Sequence, residues 1–298
     1  TRQFRAFHWE YEFPDAFIET EWGFDLVVMN PPWDVVKPED DDFFSNLSPG
    51  FRRIKSKPEK RKVMEKLLLD PAAKAAYLDY RKKIEQRINF YRSSEYSLRG
   101  SGDTNLWKLF MERGMRLLAK GGTLSVVVPS GIITDEGGKP LREKLFEGKI
   151  RGIFEFENKR GIFPDVHRSY KFALLFWDKD EPVPVFPAAF YLQDVRALEG
   201  KAEQEKFLEM PMELVRICAP DSLSIPEVRN QQHLRVFTKL CRAHPLLGDP
   251  EKGWHVGLVA ELHRTNDSKL FRSDGQGWPL IEGKSFHQFL PDYEKPIF

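Results

Sequence analysis

The sequence predicts an α/β domain, and three stretches predict it. Phe24-Asp25-Leu26-Val27-Val28-Met29 is an apolar, partly β-branched run that stops abruptly at Asn30-Pro31-Pro32-Trp33. Leu106, Leu109, Phe110, Gly114, Leu117 and Leu118 follow helical spacing, and an apolar strand from Thr123 closes at Pro129-Ser130. Ile150 to Asn158 and Tyr170 to Trp177 are two further strands, whose short connection suits antiparallel pairing at a sheet edge.

The elements follow in order. Ala6 to Phe13 alternates large apolar and polar residues, as a strand does, and Pro14-Asp15 ends it. Leu26 to Met29 reads as a strand apolar on both faces, of the kind buried in parallel sheets. Two prolines cannot continue a ladder, and their rings stiffen the turn that follows. An amide, a rigid carbonyl and a large aromatic are therefore presented at the carboxyl end of a strand. That is the edge where open α/β sheets bind ligands.

After Trp33 the chain turns acidic, with Asp34 and then Glu39-Asp40-Asp41-Asp42. Contiguous carboxylates on a loop do not converge on one ion, so a solvated loop is expected rather than a metal site. From Phe51 to Arg99 the balance reverses: fifteen Lys or Arg stand against six Asp or Glu, a local charge of +9. Met64 to Leu68 and Tyr77 to Glu85 read as helices, the second started by Pro71 after Asp70 as N-cap. This basic helical block interrupts the alternation of strands and helices. It reads as an insertion over the strand edge, serving either to neutralise nucleic-acid phosphates or simply as a solvated helical face.

Asp103 or Thr104 is expected to N-cap the next helix, and Gly121-Gly122 to end it. Lys139 to Gly148 is a further short helix. Pro182, Pro184 and Pro187 mark a boundary, and Phe190 to Phe237 is assigned only to helices and connections.

Composition sets outer limits. A chain of 298 residues holds one large or two ordinary domains. Its net charge of +1 leaves any basic surface local. Cys218 and Cys241 have no metal-site spacing and make no disulfide framework, so an intracellular, cytoplasmic protein is expected. No apolar run is long enough for a membrane span, and no metal centre is expected. Thr1 and Phe298 carry no terminus signals, and the chain is expected to be an internal piece of a longer protein.

Asn30-Pro31-Pro32-Trp33 behind its apolar strand resembles the catalytic motif of methyltransferases that act on the exocyclic amine of DNA adenine. Three more stretches are similar to the large type IIG and phage-defence restriction-modification methylases, and in the same order. They are Phe7-His8-Trp9-Glu10 through Phe13-Pro14, the Asn105-Leu106-Trp107-Lys108-Leu109-Phe110 helix with its following strand, and Trp278-Pro279-Leu280-Ile281-Glu282-Gly283-Lys284 through Gln288-Phe289.

The resemblance implies a Rossmann-like S-adenosylmethionine-dependent sheet, of which this chain holds the catalytic half. Residues 1–180 would be that half, with residues 51–99 as the insertion. Residues 181–298 would be a linker and the start of a target-recognition region.

The implied activity is methyl transfer to adenine N6 in a restriction-modification or phage-defence system. Adenine's amine is a poor nucleophile because its lone pair is delocalised. The Asn30 side-chain oxygen and the Pro31 carbonyl would accept its N–H groups as it rehybridises, Pro32 would hold the turn, and Trp33 would stack on a flipped base. Asn30 and His8 would face the cofactor. Trp9 fits either a cofactor contact or ordinary core. Arg52, Arg53 and Lys55 would meet DNA phosphates. His167 and Arg168 would lie near the substrate, or form an ordinary charged turn.

The main cofactor motif is expected upstream, since Gly100-Ser101-Gly102-Asp103 follows no strand. The implied partners are double-stranded DNA and other parts of a longer polypeptide or defence-system subunits, with no membrane. RNA or protein glutamine as methyl acceptor, and a nucleic-acid-binding module without activity, are the competing readings.

Overall fold

The structure is a computed structural model. It describes residues 7–17, 22–249 and 251–290, except 255, 257, 258, 260, 264, 265, 273, 275, 282, 286, 288 and 289. The chain forms two compact units, residues 1–244 and 245–298.

The first unit is a mixed α/β domain. Its six strands are β1 (Phe24–Met29), β2 (Leu118–Pro129), β3 (Lys149–Glu157), β4 (Lys171–Asp178), β5 (Val185–Leu192) and β6 (Phe207–Pro211), in the spatial order β1-β2-β4-β3-β5-β6. β1 runs parallel to β2, and β3 parallel to β5, while β4 and β6 run antiparallel to their neighbours. The carboxyl ends of β1, β2, β3 and β5 therefore share one edge. The expected antiparallel pairing of the 150–158 and 170–177 strands is present, from Lys149↔Asp178 to Glu157↔Lys171.

One sheet face is packed. Trp107, Met111 and Met115 of the helix Leu106–Leu117 and Leu141 and Leu145 of the helix Lys139–Phe146 cover Leu124, Val126, Val128, Ile153 and Leu175. The other face is bare at its β1 end, where Leu26 is 57% and Val28 70% exposed. β1 is thus not buried on both faces as expected from its composition. It is an edge strand among the described residues, with only Val27 and Met29 turned onto the core. Apolar residues on both sides of a strand suit a place inside a sheet, and here only one side is met.

Several expectations give way to tertiary packing. Residues Trp9–Glu12 and Pro14–Phe17 are helical turns, not a strand. Their rings gather instead around Phe24: Trp9, Phe13 and Phe17 lie 5.8, 5.4 and 5.1 Å from it, all edge-on. Gly121-Gly122 does not end the 106–117 helix but lies inside β2, which begins at Leu118. A Cβ at Gly122 would stand 2.7 Å from the Phe24 carbonyl, so glycine lets β2 approach β1 closely. The sheet also runs past the prolines at 182–187, since β5 and β6 continue it. Pro187 precedes the first β5 pairing with β3, where it removes no ladder bond on that side.

The longer helices are numbered α1 (Asp40–Leu47), α2 (Lys57–Leu67), α3 (Pro71–Tyr91), α4 (Leu106–Leu117), α5 (Lys139–Phe146), α6 (Met212–Cys218) and α7 (Gln231–Ala243). The two cysteines, distant in sequence, meet between α6 and α7 as free thiols with their Sγ atoms 2.6 Å apart. Burial and the neighbouring thiol push Cys218 up to about 12. No helix among the described residues is long and apolar enough to cross a membrane.

Among its described residues the second unit shows short turns and one isolated bridge, His287↔Leu290. Asp249 accepts the backbone N–H groups of Glu251 and Lys252, and short 3-10 turns lie at Ser268–Leu270 and Gly283–Ser285. The resemblance at Trp278 to Phe289 falls partly outside the described residues, as does part of the stretch from Val256 to Ser268.

Candidate active site at the carboxyl edge

β1 ends at Met29, and the chain leaves the sheet edge through Asn30-Pro31-Pro32-Trp33. Asn30 and Pro32 are exposed, Pro31 is buried, and Trp33 is half-buried. The loop is then pinned to the start of α4. Leu106 N–H donates to the Asp34 carbonyl at 2.9 Å, and Val36 N–H to the Thr104 carbonyl at 2.8 Å. This replaces the expected side-chain cap from Asp103 or Thr104: Asn105 occupies the N-cap without a side-chain bond, and a helix N–H is satisfied by the loop itself. α4 presses on the strand behind the loop as well, since a Cβ on Gly114 would fall 2.3 Å from Met29 Cε.

Trp33 is held from three sides. Its Nε1–H donates to the Val127 carbonyl at 3.4 Å. Its ring lies 5.6 Å from Phe163 at 75° and 6.2 Å from Phe172 at 31°. The Asn30 side chain and the Pro31 carbonyl have no hydrogen-bond partner among the described residues. Two acceptors, one on exposed Asn30 and one on buried Pro31, thus share a turn with one anchored aromatic.

The loop joining β3 to β4, residues 158–170, leaves the same edge and carries Phe163, His167 and Arg168. His167 Nδ1 lies 2.7 Å from Ser169 Oγ, and Arg168 donates to the Lys159 carbonyl at 2.9 Å. Both side chains are exposed. Further along the edge is an ionic cluster. Lys171 donates to the fully buried Glu155 at 3.0 Å and to Glu227, and it sits 4.6 Å over the Tyr191 ring. Burial, then the Glu227 charge, push Glu155 up to about 7 despite Lys171.

His8 and Trp9 stand on the first helical turn, beside β1 rather than at its carboxyl end. His8 is exposed, and Trp9 packs on Phe7, Phe13 and Phe24. Gly100 and Gly102 adopt positive φ, 71° and 82°. A Cβ on Gly100 would lie 2.0 Å from the Gly137 carbonyl oxygen, so this glycine serves contact between two chain segments. The stretch follows a 3-10 turn, Ser94–Arg99, and no strand. Its residues do not fit a cradle for the methionine part of S-adenosylmethionine.

The insertion has a small core of its own. Phe44 and Phe51 are fully buried and pack with Phe43, Tyr77 and Tyr80. Asp70 caps α3 as expected, accepting from Ala72 and Ala73 N–H. The acidic run is not a solvated loop. Asp40, Asp41 and Asp42 form the first turn of α1, where the helix dipole favours carboxylates. They meet Tyr77, Lys60 and Arg52 respectively. Arg52 is therefore paired, whereas Arg53 and Lys55 are exposed and have no ion-pair partner among the described residues. The insertion returns to the sheet through Glu112 of α4, 1% exposed, which accepts the N–H groups of Ser97 and Leu98 at 3.0 and 2.9 Å. Among the described residues no three His, Cys, Asp or Glu side chains group as metal ligands.

Among the buried polar residues that spacing does not mark are Glu112, Arg142 and Asn158. Arg142 and Asn158 bond backbone atoms, and Glu112 adds Ser97 Oγ and Arg116 to its two backbone donors. Arg142 donates to the carbonyls of Ile132, Asp135 and Ser222, and burial lowers its pKa to about 10. Spacing along a chain does not encode partners of this kind, because the fold brings them there.

Residues 77–163 match the family model described as Eco57I restriction-modification methylase. That match runs from α3 to the loop after β3, under a third of the chain, and does not include Asn30 to Trp33. No curated protein matches. Several solved structures share parts of the arrangement at low similarity. One, from a study of assembly and conformational transition in the type I R-M system, is 14% identical with a TM-score of 0.39, over 70% of this chain and 38% of its own. A class I S-adenosylmethionine-dependent methyltransferase described as putative, from Listeria monocytogenes, is 17% identical with a TM-score of 0.32, over 60% and 40%. The type IIG restriction endonuclease BpuSI is 18% identical with a TM-score of 0.35, over 63% and 19%. The chain spans well under half the length of each of these structures.

Proposed function

We propose that this chain is the catalytic half of a restriction-modification methyltransferase that methylates the N6 amine of a flipped DNA adenine. The observation that carries the reading is the turn at the end of β1. An exposed Asn30 amide and a free Pro31 carbonyl stand beside an anchored Trp33, on a loop tied to α4. The Asn30 oxygen and the Pro31 carbonyl accept the two N–H groups of the target amine. Acceptors fixed in advance favour the geometry in which the nitrogen lone pair is freed, at no cost of reorganisation during reaction. Trp33 supplies a face for the extruded base. The methyl donor, S-adenosylmethionine, is held by the half expected upstream, which pairs along the open outer edge of β1.

The reading is tested by flipping. In the full-length protein, a fluorescent adenine analogue at the target position brightens on binding. Trp33→Phe keeps that signal. Trp33→Ala loses about 1–3 kcal/mol of stacking, by analogy with single-strand binders, and dims it. Equal signals in Trp33→Ala and wild type would return Trp33 to the core.

DNA affinity comes from the insertion in this reading, through phosphates rather than bases. Arg53→Ala and Lys55→Ala are expected to weaken binding to all sequences alike. Each should reduce the slope of log K against log salt by roughly 0.9. Arg52→Ala should change it less, because Asp42 already neutralises that guanidinium. Binding isotherms across a salt series check this, and an unchanged slope with reduced affinity would make the block structural.

A further inference from the structure

Asn158 is the first residue after β3, and it is fully buried. Its Nδ2 donates to the Phe163 carbonyl at 2.9 Å and to the Val166 carbonyl at 2.8 Å, while its Oδ1 accepts the Phe163 N–H at 2.9 Å. Its backbone N–H donates to the Tyr170 carbonyl, and its carbonyl accepts the Gly161 N–H. One side chain thus grips both backbone polar groups of Phe163 and closes the 158–166 turn. A second tie sits outside it. Arg168 bonds the Lys159 carbonyl and lies over Gly161, where φ is +71° and a Cβ would stand 2.8 Å from the guanidinium carbon.

We propose that Asn158 is a positioning residue: it holds the β3–β4 loop in the one shape that sets the Phe163 ring against Trp33. The proposal rests on the reading of Trp33 as the base-stacking residue. Only a primary amide offers two N–H donors and one acceptor in this small space. Aspartate would point an oxygen at two carbonyls. A buried polar side chain of this kind gives little net stability, since its bonds replace bonds to water. It does fix geometry, and here the geometry ends on a ring 5.6 Å from Trp33 and 4.8 Å from Phe172. Trp33 itself has one weak hydrogen bond, at 3.4 Å, so its orientation depends on the rings beside it.

The test places a single 4-fluorophenylalanine at position 163 of the full-length protein and reads it by fluorine NMR. In the wild-type background the resonance is displaced by the neighbouring rings, and Trp33→Leu shifts it. Asn158→Asp is expected to move it toward the Trp33→Leu position and broaden it, with a cooperative melting transition retained at a lower temperature. Asn158→Ser, which keeps one donor, should fall between. In single-turnover methylation of an adenine duplex, both variants should lose about tenfold or more in rate, the scale of a misplaced reacting group, at unchanged DNA affinity.

A resonance left in place by Asn158→Asp would overturn the proposal. So would a moved resonance with an unchanged rate, or the unfolding of both variants, which would make Asn158 part of the core alone. A wild type that methylates no adenine would overturn the methyltransferase reading instead, because the fluorine signal reports on Asn158 without turnover.

Discussion

Asn30→Ala should lower methyl transfer by roughly two to three orders of magnitude, the scale for loss of one preorganised hydrogen bond at a reacting centre. The loss should fall on the single-turnover rate and not on DNA binding. Asn30 is exposed and bonded to nothing else among the described residues, so removing its amide leaves no buried group unpaired. Its role is realised only when the amine changes geometry, which is why ground-state affinity should survive. Asn30→Asp keeps an acceptor oxygen and should retain more activity than Asn30→Ala. Single-turnover rates of the three proteins, with DNA affinities alongside, check the ordering. An alanine variant with full turnover would refute the assignment of Asn30.

The second large effect concerns the cofactor. Residues 1–298 alone should show no micromolar affinity for S-adenosylmethionine, whereas a longer polypeptide that supplied a Gly-rich turn and a ribose-binding acid would. Micromolar binding corresponds to about 8 kcal/mol, so the difference is one of presence against absence. The structural reason is local. Gly100 packs on Gly137, and the turn follows a 3-10 turn and no strand. Meanwhile the outer edge of β1 and its bare Leu26 and Val28 offer the place where further strands would pair. Calorimetry on both proteins decides it, and micromolar heat from residues 1–298 would sink the idea.

The parts of this molecule that were legible in the sequence are those fixed by local chemistry. Asp70 and Pro71 start α3 because an acceptor and a preset φ suit a helix start, and the structure shows both. Two prolines end β1 at Met29. The antiparallel pairing of β3 with β4 was also legible, from the two apolar runs that flank one loop.

What escaped is what depends on neighbours. Alternating rings from Phe7 to Phe13 imitate a strand, yet they gather around Phe24 in helical turns. Ala188 and Ala189 carry a weak strand signal, so β5 was missed although both are fully buried in the sheet. The acid run looked solvated because its partners, Arg52, Lys60 and Tyr77, lie up to 37 residues away. The exit of the chain from β1 at Asn30 to Trp33 was readable from its prolines, while the contacts that Phe163 and Asn158 make behind Trp33 were not. Only the shared carboxyl edge of β1 and β3 brings them together.

The most direct measurement is methyl transfer from labelled S-adenosylmethionine to an adenine-containing duplex by the full-length protein, with the product digested to nucleosides. Label is expected in N6-methyladenine, with the rate of its formation lowered by roughly two to three orders of magnitude in Asn30→Ala. Label in cytosine, in RNA or in protein, or no transfer to any of them, would contradict this reading.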